Sequence, residues 1–224
     1  MNVYNDQNGL LREPAVSVEV SIREKKYFFG FYSFYTYAKR ISDFLLALIG
    51  IVLSLPIMLV VALAIRLESQ GSVFFIQERV GQHGRIFKII KFRSMTMDAE
   101  KNGAQWAQKN DSRVTRVGKF IRKTRLDEIP QFINVLKGDM SLIGPRPERP
   151  MFTEQFNEEI PGFTKRLEVK PGITGWAQVN GGYEINPKQK LELDLYYIKE
   201  SSFRLDMKIM LKTIGVVFTG DGAR

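Results

Sequence analysis

Asp127 and Glu128 are adjacent carboxylates set among cations: Arg122, Lys123 and Arg125 precede them, and Arg146 follows between Pro145 and Pro147. An acid pair in a basic shell suits work on a phosphate ester. One carboxylate attacks or binds a metal while the cations neutralise phosphate oxygens. The same residues also make a good helix start. Asp caps, Glu suits the first turn, and Pro130 is tolerated there. Caps are far commoner than nucleophiles, so these residues alone favour the cap. Two prolines around Arg146 fix its backbone, as a preorganised phosphate clamp needs.

The rest of the composition narrows the chemistry. The chain has 224 residues and a net charge of +9, a balance that fits nucleic acid, anionic lipid or phosphorylated substrates. Cysteine is absent, which removes disulfides, thiolate metal sites and thiol nucleophiles. His83 is the single histidine and sits in a polar Gly81–Gly84 turn, so a surface position is expected. Ser-His-Asp and zinc-hydrolase chemistry are excluded unless His83 serves them.

Several elements must position these groups. Ile129, Phe132, Ile133 and Leu136 recur at helical spacing, which predicts a helix over 128–136 with one buried face and with Asp127 and Glu128 at its anion-favouring start. A helix is expected at 117–124. Ser72–Ile76 and Arg85–Phe92 read as two strands of a small β-hairpin, with Lys91 and Arg93 at its end. Residues 98–111 read as a loop or short helix, and Trp106 there is either a core or an interfacial residue. The glycine-rich Lys170–Tyr183 stretch is either a ligand-approaching loop or a set of turns. Leu191–Lys199 and Phe203–Phe218 read as helices, the second amphipathic and expected at a membrane surface. Val16–Ile22 alternates like a short strand. The fold class is therefore α+β, helix-dominated, in one catalytic domain.

Phe44–Ile65 is an uncharged apolar run. At about 1.5 Å per residue it can cross a hydrocarbon core of about 30 Å. Two features oppose a plain crossing. Pro56 lies mid-run and should kink or break the helix. Basic residues flank both ends, Lys39 and Arg40 before and Arg66, Arg79 and Arg85 after, which places both ends on the cytoplasmic side. A re-entrant helix broken at Pro56 meets both demands and is favoured over a kinked span. The aromatic run Tyr27–Tyr37 ahead of it suits an interfacial belt. The expected domains are an extension at 1–36, the anchor at 37–67 and a cytoplasmic catalytic domain at 68–224.

Taken together, the KR-I-x-D-F run before the apolar segment, KFRSM, TRLDEIPQFINVLKGDMSLIGPRP, KPGITGWAQVNG and LDLYYI resemble the bacterial sugar transferase family. The resemblance runs from about Tyr37 to the C-terminus. It implies a monotopic phosphoglycosyl transferase of the bacterial inner membrane with its catalytic domain on the cytoplasmic face. Such enzymes transfer a sugar-1-phosphate from a UDP-sugar to undecaprenyl phosphate with Mg²⁺, as the first membrane step of an exopolysaccharide or related glycan. By that resemblance Asp127 is the nucleophile that forms a covalent phosphosugar and releases UMP. Glu128 is its partner in holding Mg²⁺, and Lys91, Arg122 and Arg146 surround the phosphates. Pro56 matches the helix-breaking proline. Close relatives place a serine directly before that proline. Here Leu55 does, with Ser54 one residue earlier, so the serine-to-backbone bond of the family is left open.

The readings that compete are direct attack by the lipid phosphate without a covalent step, a membrane-anchored non-catalytic scaffold, and a nucleic-acid binder. The last is suggested by charge alone and lacks any recognisable motif, so no nucleic-acid partner is expected. Anionic membrane lipid is an expected partner, and a homodimer is left open. An unmodified hexose is expected over an acetamido sugar, although no sugar pocket can be read from the chain.

Overall fold

The computed structural model describes residues 16–101, 103, 111–181 and 185–219, with side chains from 34 to 217. Trp106 and most of the 98–111 segment lie outside the described residues, as do the side chains of the aromatic run before Phe34. The chain divides into two units, residues 1–38 and 39–224. The described part of the first unit is helical. Val16–Ile22, expected as a strand, is instead the start of α1 (Val16–Glu68). Alternation over seven residues is a weak signal when no partner strand follows it.

Phe34–Glu68 is long and apolar enough to cross a membrane, with mean hydropathy 2.9 in its most apolar window, only 11% of which is buried. Pro56 lies inside α1, which continues as helix to Glu68. Without an N–H, Pro56 cannot bond the carbonyl four residues back. It interrupts the backbone ladder without ending the helix. Ser54 supplies an extra bond nearby: its Oγ donates to the Gly50 carbonyl at 2.6 Å, with a second contact to the Ile51 carbonyl at 3.3 Å. Back-bonding of this kind bends helices, and it arises here from one position earlier than the family pattern.

In the second unit, β1 (Phe74–Val80) and β2 (Ile86–Phe92) form the antiparallel hairpin. Its turn is a 3-10 segment at Gln82–Gly84 in which His83 is exposed at φ 55. Seven α-helices and four strands occur among the described residues. The remaining helices are α2 (Arg116–Lys123), α3 (Phe132–Lys137), α4 (Pro150–Glu159), α5 (Trp176–Asn180), α6 (Pro187–Lys199) and α7 (Phe203–Thr219). Two short parallel strands, β3 (Ser141–Ile143) and β4 (Gly172–Thr174), pair at the centre.

Four apolar clusters hold these pieces. Ala47 of α1 packs with Ile89, Val135 and Met140, while Val61 and Ile65 pack with Phe92 and Ile121. α1 thus packs against both β2 and the helices around the acid pair. Ile143, Tyr197, Leu205 and Ile209 make a third cluster, and Phe156, Phe163 and Leu191 a fourth.

Polar side chains join the same elements. Arg40 donates to the Val135 and Leu136 carbonyls at the end of α3, at 2.6 and 3.1 Å, satisfying groups that have no intrahelical partner. Asp43 accepts from Ser141 Oγ at 2.7 Å and from the Leu142 N–H at 3.2 Å.

Candidate active site

The acid pair does not begin an α-helix. Asp127 and Glu128 lie in a 3-10 turn, Leu126–Gln131, that feeds into α3. Pro130 lies inside that turn, one residue before its end, and has no N–H to donate. Arg125 precedes the turn at φ 59, a left-handed conformation that an arginine rarely adopts. The expected buried face shifts as well. Ile129, Phe132, Ile133 and Leu136 are half-buried, whereas Gln131, Asn134 and Val135 are buried. Asn134 takes a core position because its side chain completes the backbone of β2. Its Oδ1 accepts from Ile90 N–H at 3.0 Å and its Nδ2 donates to the Lys88 carbonyl at 2.8 Å. α3, which the acid-bearing turn feeds, is thereby fastened to the hairpin.

Three elements bring cations to the turn. Lys91 lies near the end of β2, and its Nζ is 2.9 Å from Glu128 Oε1. Arg146 follows β3 and reaches the same oxygen at 2.7 Å. Arg122, in the last turn of α2, donates from Nε to Ser94 Oγ at 2.7 Å. Gly118 allows that approach: a Cβ there would sit 2.0 Å from the Ser94 carbonyl oxygen. All five expected residues, Lys91, Arg122, Asp127, Glu128 and Arg146, line one cavity of about 390 Å³, together with Arg125. Pro56 does not line it.

The two carboxylates are buried but differ in kind. Burial alone would raise Glu128, yet Arg146 and Lys91 outweigh it and hold its carboxyl well below the usual range. Asp127 accepts no hydrogen bond among the described residues. Burial, and then the charge of Glu128, push it up to about 6 against the pull of Lys91, Arg122 and Arg146. A salt-bridged anion beside an acid kept near neutrality is the separation of roles that acid–base and nucleophilic sites use.

The strip that carries Arg146 is held by its carbonyls, since its two prolines have no N–H to donate. Gly172 N–H bonds the Pro145 carbonyl at 3.0 Å, Arg79 the Pro147 carbonyl at 3.1 Å, and Val80 N–H the Glu148 carbonyl at 2.9 Å. The glycine-rich stretch explains itself here. A Cβ on Gly172 would lie 2.1 Å from the Gly144 nitrogen. These glycines let two backbones cross. The stretch read as a ligand-approaching loop or a set of turns contains β4 and α5, with Ile173, Thr174 and Gln178 lining the cavity.

The acidic groups suit one metal only with help. No cluster of three or more His, Cys, Asp or Glu that could hold an ion occurs among the described residues. Mg²⁺ needs fewer protein ligands, usually one or two carboxylates plus substrate phosphates and water. Asp127 and the second oxygen of Glu128 fit that donor set, since Lys91 and Arg146 both engage Oε1.

Sequence reading missed Ser94, Asn134, Glu148, Arg166 and Asp194 as supports of the site. Ser94, Asn134 and Asp194 fell in motifs already singled out, and polar residues inside an apolar period were the available signal.

Residues 34–220 match the bacterial sugar transferase family. The chain is 55% identical over 193 residues to a UDP-N-acetylgalactosamine-undecaprenyl-phosphate N-acetylgalactosaminephosphotransferase of Aeromonas hydrophila, covering 85% of this chain and 46% of that protein. It is 45% identical to the UDP-glucose:undecaprenyl-phosphate glucose-1-phosphate transferase of Escherichia coli, covering 83% of this chain and 41% of the relative. A protein of the same name from Caulobacter vibrioides is 40% identical, with 83% and 71% covered. The chain thus spans less than half the length of the first two.

Proposed function

The chain belongs to the bacterial sugar transferase family, and we propose that it transfers a sugar-1-phosphate from a UDP-sugar to undecaprenyl phosphate through a phosphosugar on Asp127. The observation that carries this reading is Asp127 itself. It is a buried carboxylate without a hydrogen-bond partner among the described residues, beside a neighbour pinned by two cations. A nucleophile needs its lone pairs free, whereas a structural aspartate has them engaged.

The reaction balances in two displacements. In the first, an Asp127 carboxylate oxygen bonds the sugar-bearing phosphorus as the bond from that phosphorus to the UMP oxygen breaks, and UMP leaves. In the second, an oxygen of undecaprenyl phosphate bonds the same phosphorus and the Asp127 oxygen departs. The product is the lipid diphosphate sugar, with the carboxylate restored. Arg122, Arg146 and Lys91 supply positive charge where phosphate oxygens crowd together. Glu128 stays ionised and orients Lys91 and Arg146. Asp127 and Glu128 would hold Mg²⁺, which when bound neutralises phosphate oxygens.

The membrane arrangement is part of the proposal. The apolar helix enters from the cytoplasmic side and returns at Pro56, with the inner membrane as its host. Basic flanks at both ends and a net charge of +9 support this, and suit anionic lipid. α7 lies along the surface, with Met207, Leu211 and Ile214 exposed and Lys208 and Lys212 on the same helix. The identities to relatives named for both N-acetylgalactosamine and glucose keep the sugar open.

UMP release by the purified chain in detergent tests the reaction, with undecaprenyl phosphate, Mg²⁺ and a panel of UDP-sugars including both of those. UMP formed with one sugar is the expected result. UDP formed instead would mean transfer of the sugar without its phosphate and would overturn the proposal.

A further inference from the structure

We infer that Arg166, gripped by Asp194, is a positioning residue that aims Arg146 at the transferring phosphate. The role rests on the reaction proposed above. Arg166 is buried at 2% exposure and sits in a 3-10 turn at Phe163–Glu168, far in sequence from the acid pair. Its NH2 donates to the Arg146 main-chain carbonyl at 2.8 Å. Its Nε and NH2 both bond Asp194 Oδ2 of α6, at 2.9 and 2.7 Å. NH1 lies 3.9 Å from Glu148 Oε1, and the guanidinium stands 5.0 Å from the Phe163 ring centroid. Five contacts on one planar group leave it little freedom to move.

The chemistry of the Arg146 strip makes this bond matter. Proline neighbours mean that the strip is located chiefly through its carbonyls, and the bond to the Arg146 carbonyl is made by a side chain rather than a strand. α6 supports the strip at a second point as well, because Tyr197 OH donates to the Ile143 carbonyl at 3.2 Å. The LDLYYI motif is thereby accounted for: Asp194 and Tyr197 lie three apart on one face of α6 and back the segment that ends in Arg146.

A buried ion pair is weak evidence for stability, since apolar replacements of similar size often serve as well. Its presence here is better explained by the placement of a donor. Lysine cannot reproduce it, because one ammonium cannot hold the carboxylate in a fork and reach the carbonyl together.

The test uses the full chain in detergent. Arg166→Met combined with Asp194→Leu removes both charges at once. The unfolding midpoint is expected to stay within a few degrees, kcat for UMP release to fall about 30-fold or more, and KM for the UDP-sugar to change less than about 3-fold. The decisive readout is coupling with Arg146→Lys. If Arg166 acts through Arg146, the combined variant loses no more than the larger of the two separate losses. Losses that multiply, or an unchanged kcat, would overturn the inference.

If the paired variant does not fold, Arg166→Lys keeps the buried charge balance. A roughly 10-fold fall in kcat is expected for it, and full activity would count against the role. A readout without turnover is the rise in unfolding midpoint on adding inorganic pyrophosphate, which should shrink equally in Arg146→Lys and in the Arg166 variants. An unequal loss would also overturn it. Failure of the reaction itself appears separately, as a wild-type chain that releases no UMP with any UDP-sugar while the pyrophosphate shift persists.

Discussion

Two buried clusters of acids and bases meet at the Gly144–Glu148 strip, and they are built differently. In the first, Glu128 is shared by Lys91 and Arg146, while Asp127 accepts no hydrogen bond among the described residues. In the second, Glu148 is bonded by Lys190 and Asp194 by Arg166, with each acid matched to a base, although Glu148 and Lys190 line the same cavity. Burial raises one acid in each cluster, Asp127 to about 6 and Asp194 also. Neighbouring cations hold Glu128 and Glu148 down, Glu148 to about 2, so the clusters differ in hydrogen bonding rather than in the direction of these shifts. The difference teaches where reactivity resides. A matched cluster fixes geometry, and the cluster with one acid left over can form a bond.

The largest effect expected from breaking this contrast is at the unmatched acid. Asp127→Asn should lower UMP release by more than about 10³-fold, because an amide is a poor nucleophile; near-normal turnover would remove its role. Arg146→Ala comes next, with kcat lower by about 10²–10³-fold, as for a lost oxyanion donor. Steady-state assays over UDP-sugar concentration separate that loss from weaker binding.

Acidity has a smaller effect. A raised pKa keeps Asp127 protonated to higher pH, so turnover should fall as the pH drops through about 6. At about pH 5 it should be roughly tenfold below its plateau. A pH–rate profile flat to about pH 4.5 would contradict this.

The smallest change in rate belongs to the matched side. Lys190→Met leaves Glu148 with the more distant Arg166 and Arg79 and should cost about 1–3 kcal/mol of stability, with kcat within about twofold. Denaturant unfolding and turnover, measured on the same preparation, sharpen the comparison. A rate loss without a stability loss would place Lys190 in the site instead.

Much of this was legible in the chain. The hairpin, the two last helices and the five residues that line the cavity all follow from period, turn residues and family motifs. Local signals sufficed there because each element buries one face. Other features needed long-range contacts. The alternation at Val16–Ile22 allowed a short strand where the chain is helical, and no strand among the described residues pairs with it. Ile129 and its spaced neighbours promised a buried stripe, but Asn134 is the buried residue because it completes the backbone of β2. The glycine-rich stretch read as either a ligand-approaching loop or a set of turns. Its glycines at 172 and 175 serve a crossing with Gly144, and Ile173, Thr174 and Gln178 between and beside them line the cavity. Arg166 was invisible for the same reason. Its partners, the Arg146 carbonyl and Asp194, are 20 and 28 residues away in sequence.

The central claim is that Asp127 carries the phosphosugar. Its most direct test is the intact mass of the protein after incubation with Mg²⁺ and the accepted UDP-sugar, without undecaprenyl phosphate. A mass increase of one sugar phosphate, placed on Asp127 by peptide mapping and matched by about one UMP per chain, is the predicted result. UMP that appears only when the lipid acceptor is present, with no adduct on the chain, would contradict the covalent route and favour direct attack by the lipid phosphate.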